Sequence, residues 1–182
     1  PRAWTTCRKG SGDGLTGAQL LESAKAGRIW LNLREANLYL KPYADLADEV
    51  FAEKEAMAPG LRTFKRDLGV LISSANAQVF YHLDVPLVSL WQIRGTKRES
   101  AEQFAFDPAW DAGAEAVELT PGRMVTWAQN APHRIENGPM LNVSLSMEFM
   151  TPQALLRANV IYANGVMRRR AGLRPRLSDG VS

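Results

Sequence analysis

The stretch YHLDVPLVSLWQIRGTK, residues 81 to 97, decides which fold the sequence encodes. It holds one of the two histidines of the chain, an aspartate two positions later, and an apolar run that closes at Lys97. An apolar run rich in β-branched and aromatic residues is typical of a buried strand. The histidine, the acid and the lysine around this run therefore need a chemical explanation.

The sequence on either side of this stretch predicts a meander of short strands with helices at both ends. Helices that flank strands without alternating with them indicate an α+β fold or a decorated barrel, and argue against a doubly wound parallel sheet. The predicted strands are RIWLNL (28–33), GVLISS (69–74), AQVFYHLD (77–84), PLVSLWQIRG (86–95), GRMVTWAQ (122–129), PHRIE (132–136) and MLNVSLSMEF (140–149). The predicted helices are GAQLLESAKAG (17–27), YADLADEVFAEKEAM (43–57) and TPQALLRANVIYANGVMRRR (151–170).

Length and composition predict one globular domain. The chain has 182 residues, of which 46% are hydrophobic and 23% charged, and it contains no apolar window long enough to span a membrane. The absent initiator methionine and the abrupt polar sequence after Lys97 indicate omitted residues, including a loop after that lysine. We divide the domain into a mobile lead (1–14), N-terminal helices and a strand (15–68), a β core (69–149), a C-terminal helix (151–172) and a tail (173–182).

The net charge of +3 does not predict nucleic-acid binding, because the positive charge is concentrated at one end. Six arginines and one acid lie from Thr151 onward, and such a run is more often a solvated helix end than a phosphate-binding surface. The single cysteine, Cys7, excludes an internal disulfide and a cysteine metal cluster. This cysteine usage fits a reducing cytoplasm.

The two histidines and one aspartate form the strongest candidate site. Residues i and i+2 of a strand point to the same face, so His82 and Asp84 project together. His133 lies on a later predicted strand, which antiparallel pairing can bring beside the first pair. Two imidazoles and one carboxylate on one face form the ligand set of non-heme Fe(II) oxygenases. The structural alternative for each histidine is a hydrogen-bonded position in the core.

Lys97 adds a second candidate function. A lysine at the end of an apolar strand is commonly an exposed strand end. If the strand lines the same cavity as the metal ligands, the ammonium can instead meet a carboxylate held some distance from the metal. A keto acid with a distal carboxylate fits that arrangement.

The segment HLDVPLVSLWQIRGTK resembles the Jumonji C group of Fe(II)- and 2-oxoglutarate-dependent oxygenases, especially its small hydroxylase-like members. The shared features are a His-x-Asp pair, a strand containing Gln-Ile-x-Gly, a lysine fifteen residues after the first histidine, and a later histidine. The resemblance covers about residues 69 to 149. It implies a mainly β fold with flanking helices, the double-stranded β-helix of cupin or jelly-roll barrels.

The resemblance also implies roles for individual residues. His82, Asp84 and His133 would bind Fe(II), and Lys97 would bind the distal carboxylate of 2-oxoglutarate. Many members place a hydroxyl residue three positions before the first histidine, where this chain has Val79. We predict that other polar residues on the strands contact the keto acid instead, and these are Tyr81, Ser89, Asn142 and Ser144. Trp91 and Trp127 are candidates for pocket walls, although a strand tryptophan is more often a core residue.

The predicted activity is hydroxylation, or demethylation through hydroxylation, of a protein side chain or small metabolite, with 2-oxoglutarate and O2 as co-substrates. One alternative is a cupin-type metalloenzyme that uses the same ligands without 2-oxoglutarate, such as an isomerase or a dioxygenase acting on a chelating substrate. Another is a non-catalytic metal- or ligand-binding regulatory module. Succinate release coupled to O2 uptake separates the first activity from both alternatives.

The C-terminal helix carries an apolar stripe that needs a partner surface. The stripe can pack on its own barrel or on the same helix of a second subunit. We predict the second arrangement, a two-fold homodimer. The stripe consists of Leu155, Leu156, Val160, Ile161 and Val166.

Overall fold

The computed structural model describes residues 14–27, 29–100 and 114–172. The described strands are β1 (Trp30–Leu33), β2 (Phe64–Ser73), β3 (Gln78–His82), β4 (Leu87–Arg94), β5 (Lys97–Ser100), β6 (Ala116–Leu119), β7 (Met124–Trp127), β8 (His133–Asn137) and β9 (Asn142–Met150). The described helices are α1 (Gly17–Ala26), α2 (Ala36–Tyr39), α3 (Lys41–Met57) and α4 (Pro152–Ala171). Cys7, the predicted tail and all of the predicted lead except Gly14 lie outside the described residues.

The strands form two antiparallel sheets that face each other. The five-stranded sheet has the order β1-β2-β9-β4-β7, and the four-stranded sheet has the order β3-β8-β5-β6. From β2 to β9, the chain passes from one sheet to the other at every connection except that between β5 and β6. This alternation between sheets is the topology of a jelly-roll barrel, with the predicted helices on its flanks.

Helix α3 covers the outer face of the five-stranded sheet. Proline at the start of this helix fits a position where its missing N–H has no intrahelical partner. Phe51 is fully buried against the outward residues of β2 and β9, including Leu68 and Met147. The ring of Phe51 meets that of Phe149 edge to face, with centroids 5.4 Å apart. This layer is the larger apolar core and fixes which face of the sheet points into the barrel.

A smaller apolar cluster lies between the two sheets. Leu71 and Leu90 of the five-stranded sheet meet Leu119 and Ile135 of the four-stranded sheet. The remaining inward positions include many polar side chains that are almost completely buried. A barrel interior with this composition is suited to a polar ligand, because buried polar groups need hydrogen-bonding partners.

The strand that was predicted to end at Lys97 ends earlier. β4 stops at Arg94, and Lys97 is the first residue of β5 in the opposite sheet. Gly95 has a φ of +81°, and a Cβ there would lie 2.5 Å from the side-chain oxygen of Asn142. Glycine therefore allows the tight crossing between sheets. The polar residues directly after Lys97 continue as a strand through Ser100.

The helices agree with most of the sequence prediction. Thr16 and Gln19 form the capping box of α1, and Gly27 is its C-cap. Within the described ranges, the structure contains no helix long and apolar enough to cross a membrane. Helix α4 is attached at its start, where the Gln129 side chain donates to the carbonyl oxygen of Ala154. Leu156 and Val160 on the same helix are 58% and 45% exposed, so the barrel leaves part of the predicted apolar stripe uncovered.

Candidate metal centre and ligand pocket

The two histidines are neighbours on paired strands. His82, the last residue of β3, lies directly opposite His133, the first residue of β8. Their ring centroids are 4.1 Å apart. His133 is 1% exposed, whereas His82 is partly exposed, so the pair lies at the opening of the barrel with His133 on the inner side.

A β-bulge in β3 turns His82 into the barrel. Val79 packs in the interior cluster opposite Ile135, and His82 also faces the interior although it lies three positions later. In a regular strand, residues three apart point to opposite faces. The register shift between Val79 and His82 supplies the extra residue that brings both side chains to the same face.

Asp84 completes a cluster of three potential ligands. Asp84 was predicted to lie on the same strand as His82, but it lies in the loop after β3. The backbone N–H of Asn130 donates to the carbonyl oxygen of Asp84 at 3.0 Å, which anchors this loop. An Asp84 carboxylate oxygen is 3.2 Å from Nε2 of His133. One potential ligand atom from each of His82, Asp84 and His133 lies within 4.8 Å of the other two.

Backbone carbonyls orient both imidazoles. Nδ1 of His82 lies 2.8 Å from the carbonyl oxygen of Phe80, and Nδ1 of His133 lies 2.9 Å from that of Ala131. A carbonyl oxygen only accepts hydrogen bonds, so each Nδ1 carries a proton and donates it to the backbone. Metal-binding histidines are commonly oriented through the other ring nitrogen in this way.

The protonation states also suit a metal. Burial and then the neighbouring His133 lower the pKa of His82, which keeps its ring neutral at pH 7. Burial acts to raise the pKa of Asp84. The hydrogen bond from His133 and the charges of both histidines outweigh that effect and hold the pKa of Asp84 below its ordinary value. Neutral His82, the His133 imidazole and the Asp84 carboxylate form a donor set of two nitrogens and one anionic oxygen that fits Fe(II) and other first-row divalent ions.

A buried hydrogen-bond network lies deeper in the barrel, on the wall formed by β4 and β9. The side-chain amide of Gln92 donates to Oδ1 of Asn142 at 3.0 Å, and Oγ of Ser144 donates to Oε1 of Gln92 at 2.7 Å. All three residues are 0% exposed. The predicted residues Asn142 and Ser144 therefore face the interior. Gln92 was not singled out from the sequence. Its position between two strand residues whose side chains point outward was the feature that could have indicated an inward side chain.

Lys97 is also buried in the barrel, with 3% of its surface exposed. It pairs with Asn137 on one side and Leu119 on the other, so all three side chains share the inner face. Oδ1 of Asn137 is buried and has no hydrogen-bond partner among the described residues. A cavity of about 260 Å³ adjoins these residues, lined by Thr96, Lys97, Arg98, Glu118, Leu119, Thr120, Glu136, Asn137 and Gly138. Neither histidine lines this cavity, so it belongs to the end of the barrel remote from them.

Two predicted contact residues lie elsewhere. Ser89 faces α3, where its Oγ accepts a hydrogen bond from Nζ of Lys54 at 3.0 Å. Tyr81 lies against Arg134, whose guanidinium is 5.3 Å from the centre of the tyrosine ring. The alternation of β4 and the bulge of β3 thus place these side chains outside the polar wall of Asn142 and Ser144, and their contact with a keto acid stays a prediction.

The two candidate tryptophans, Trp91 and Trp127, lie on opposite faces of the five-stranded sheet. Trp127 faces the interior, and its ring centroid is 4.3 Å from that of His133, so it forms a wall of the candidate metal centre. Trp91 packs in the outer core beneath α3. The inner tryptophan thus shields one face of a potential ligand from water, while the outer one is structural.

Comparison with known proteins identifies the fold. No family model matches the sequence, and no curated protein matches it. YcfD, a ribosomal oxygenase from Escherichia coli solved with cobalt and succinic acid, has a TM-score of 0.52 and 23% identity, covering 84% of this chain and 39% of its own. Its complex with cobalt and 2-oxoglutarate gives a TM-score of 0.51 and 23% identity, with coverage of 84% and 40%. The chain spans about two fifths of the length of these structures.

The similarity at this level of identity concerns the fold. It confirms the mainly β architecture with flanking helices and the double-stranded β-helix that the sequence predicted. It also agrees with the fold that the resemblance to the Jumonji C group implied. The chain is a jelly-roll barrel with a candidate His-Asp-His metal centre at its opening.

Proposed function

We propose that the protein is an Fe(II)- and 2-oxoglutarate-dependent oxygenase of the Jumonji C type. The observation that carries this proposal is the convergence of His82, Asp84 and His133, with both rings fixed through Nδ1 and Nε2 of His133 directed at the Asp84 carboxylate. A site with three protein ligands on one side leaves adjacent positions open for substrates. The likeness to a cobalt-bound ribosomal oxygenase supports the same conclusion.

The bound iron, with 2-oxoglutarate and O2, would supply the oxidation that converts a substrate C–H into C–OH and the keto acid into succinate and CO2. The protein would hold the reactants in position. His82 and His133 bind through Nε2, and Asp84 contributes the anionic oxygen. Trp127 covers His133 and excludes water from that side of the centre.

Lys97 is the proposed partner of the distal carboxylate of 2-oxoglutarate. An ammonium this deeply buried is costly unless an anion or several polar atoms accept its hydrogen bonds. The buried, unpartnered Oδ1 of Asn137 and the adjacent cavity indicate that this end of the barrel accommodates a polar group. Asn142 and Ser144, joined through Gln92, form the polar wall between this end and the metal centre.

The proposed primary substrate is a protein side chain or a small metabolite, which the enzyme hydroxylates or demethylates through hydroxylation. The ribosomal oxygenase of similar fold supports the protein side chain. We place the activity in the cytoplasm, where the use of a single cysteine fits a reducing environment.

We also propose a homodimer formed through α4. Leu156 and Val160 are 58% and 45% exposed on one side of this helix, and a second copy of the helix is the proposed cover. Light scattering should give twice the mass of the chain. Replacing both residues with lysine should reduce the measured mass to that of a single chain. Leu38→Lys, at a residue 67% exposed on α2, is the control and should leave the mass unchanged. A monomer over a wide concentration range would contradict the dimer.

The test of the enzyme activity uses anaerobic Fe(II) protein titrated with 2-oxoglutarate. We expect a metal-to-ligand charge-transfer absorbance, followed after admission of air by O2 uptake with release of succinate. Metal binding without this absorbance would favour the cupin-type alternative, and metal retention without any turnover would favour a regulatory module. Absence of divalent metal binding would contradict both enzyme functions and leave only a ligand-binding module.

A further inference from the structure

Three charged residues meet beside the candidate metal centre. Asp67 of β2 and Glu148 of β9 lie directly opposite each other. Nη2 of Arg34, from the turn after β1, is 2.6 Å from Oδ2 of Asp67 and 2.9 Å from Oε2 of Glu148. The side chains of Asp67 and Glu148 are only 13% and 21% exposed, whereas that of Arg34 is 56% exposed. An outer arginine thus holds two largely buried acids.

The register of the sheet places both acids on its inner face. Glu148 pairs with Val88, which pairs with Trp127, and residues directly opposite each other share a face. Trp127 is the residue whose ring contacts His133. Asp67 and Glu148 therefore belong to the row of the five-stranded sheet that faces the metal ligands.

Glu148 is electrostatically coupled to the candidate metal centre. Burial raises the pKa of Glu148, and the negative charges of Asp67 and Asp84 raise it further, while Arg34 acts to lower it. Asp84 is one of the three potential metal ligands. A charge change at Glu148 or Arg34 must therefore act on whatever charge the centre holds.

The turn that carries Arg34 is held in a strained conformation. The next residue, Glu35, has a φ of 56°, a left-handed conformation that is uncommon for residues other than glycine. The backbone N–H of Glu35 donates to Oδ1 of Asp67 at 2.7 Å, while Nε of Arg34 donates to Oδ2 at 3.0 Å. Asp67 thus fixes both the backbone and the side chain of the turn, so that the guanidinium reaches Glu148.

We propose that Arg34 is a positioning residue that pairs with Glu148 and thereby limits the negative charge facing the metal centre. This inference rests on the proposed function, because it concerns the balance between a divalent metal and an anionic keto acid at one site. Unpaired, the Glu148 carboxylate would attract the metal and repel the keto acid. Paired with Arg34, which also holds Asp67, the Glu148 carboxylate adds less negative charge to that of Asp84.

The test measures two affinities in each variant: that of Ni(II) for the protein, and that of 2-oxoglutarate for the Ni(II) protein, both by calorimetry. Arg34→Ala should strengthen Ni(II) binding and weaken 2-oxoglutarate binding, each by roughly threefold to tenfold at low salt. Glu148→Gln should shift both affinities in the opposite directions. The double variant should return both toward the wild-type values.

Arg157→Ala is the matched control, because it removes the same charge from an exposed position on α4. It should change neither affinity. Parallel weakening of both ligands in Arg34→Ala, or no shift in Glu148→Gln, would overturn the inference while leaving the enzyme proposal intact. Should Arg34→Ala fail to fold, the opposite shifts expected for Glu148→Gln decide the question. A wild-type protein that binds no Ni(II) would overturn the proposed function and this inference with it.

Discussion

Two lysines, one in the outer helix-covered layer and one inside the barrel, show how differently these layers use a buried charge. Nζ of Lys54, on α3, donates to Ser89 at 3.0 Å and lies 5.5 Å from the centre of the Phe149 ring. Burial lowers the pKa of Lys54. Lys97 lies inside the barrel, beside a cavity and the unpartnered Oδ1 of Asn137.

The difference separates structural polar groups from candidate ligand-binding groups. Outer polar side chains bond to neighbours of the same layer, as Glu55 does with Thr63 and Arg66. The inner ones line a space between two sheets and include a potential metal site. We therefore expect inner substitutions to change ligand binding, and outer substitutions to change stability alone.

The largest expected effect is that of His133→Ala on the inner face. Removing one of three ligands should weaken Co(II) binding by more than about a hundredfold, because even groups that only orient a ligand contribute about tenfold to a hundredfold. The measurement is a titration followed by the visible absorbance of Co(II). Ser89→Ala, on the outer face of the neighbouring sheet, is the control and should bind Co(II) as the wild type does. Equal binding by His133→Ala would place the metal elsewhere.

The two lysines give the next comparison. Lys97→Ala should weaken 2-oxoglutarate binding to the Fe(II) protein by about tenfold to a hundredfold, or about 1.5 to 3 kcal/mol, the usual contribution of a charge-assisted hydrogen bond. Metal binding should be nearly unchanged. Lys54→Ala should leave both affinities unchanged and lower only the free energy of unfolding. If the two variants bind the keto acid equally well, Lys97 does not contact its distal carboxylate.

The convergence of the three candidate metal ligands was predictable because spacing and strand pattern carried the information. The sequence His-x-Asp beside an apolar run, with a second histidine on a later strand, indicated that His82, Asp84 and His133 would meet, and the structure brings them together. The bulge that turns His82 inward was not predictable, since it depends on the register with β8. The same bulge places Tyr81 against Arg134, which the sequence pattern did not indicate.

The inner and outer faces of β4 were harder to distinguish. Val88, Ser89 and Leu90 are all buried, because the barrel covers one face and α3 covers the other. A strand buried on both sides loses the alternation of polar and apolar residues that reveals its orientation. Asn142 and Ser144 could be placed on a common face from the sequence because polar and apolar residues alternate along β9.

The inner hydrogen-bond network predicts a smaller effect, on stability. Gln92→Ala should lower the free energy of unfolding by about 1 to 3 kcal/mol, because it leaves buried groups of Asn142 and Ser144 without their partner. Urea unfolding of the metal-free protein is the measurement. Thr126→Ala, which removes a single partly buried hydrogen bond to Val88, is the control and should cost less. Equal losses of unfolding free energy in the two variants would show that the network stabilises the barrel no more than a single hydrogen bond does.

The smallest expected effect comes from the outer layer and depends on pH. Oε1 of Glu55 accepts hydrogen bonds from the hydroxyl and backbone N–H of Thr63 and from Arg66. The Thr63 hydroxyl and then its N–H, with a smaller effect of Arg66, lower the pKa of Glu55 from 4.5 to about 2. Because the folded protein binds this proton less readily than the unfolded chain, the carboxylate stabilises the fold above pH 4.5.

That stabilisation should be lost as the pH falls from 4.5 toward about 2. Urea unfolding of wild type and Glu55→Gln should therefore show a difference in the free energy of unfolding that is largest above pH 5 and closes at about pH 2. Solvent screening keeps this difference small. Lys41→Gln, which removes the exposed ion pair with Asp45, is the control and should produce a still smaller difference.

Affinities for metal and keto acid at pH 7 should be unchanged in Glu55→Gln, since the residue belongs to the outer layer. A difference in stability that grew in acid, or a change in metal affinity, would contradict the separation between the two layers.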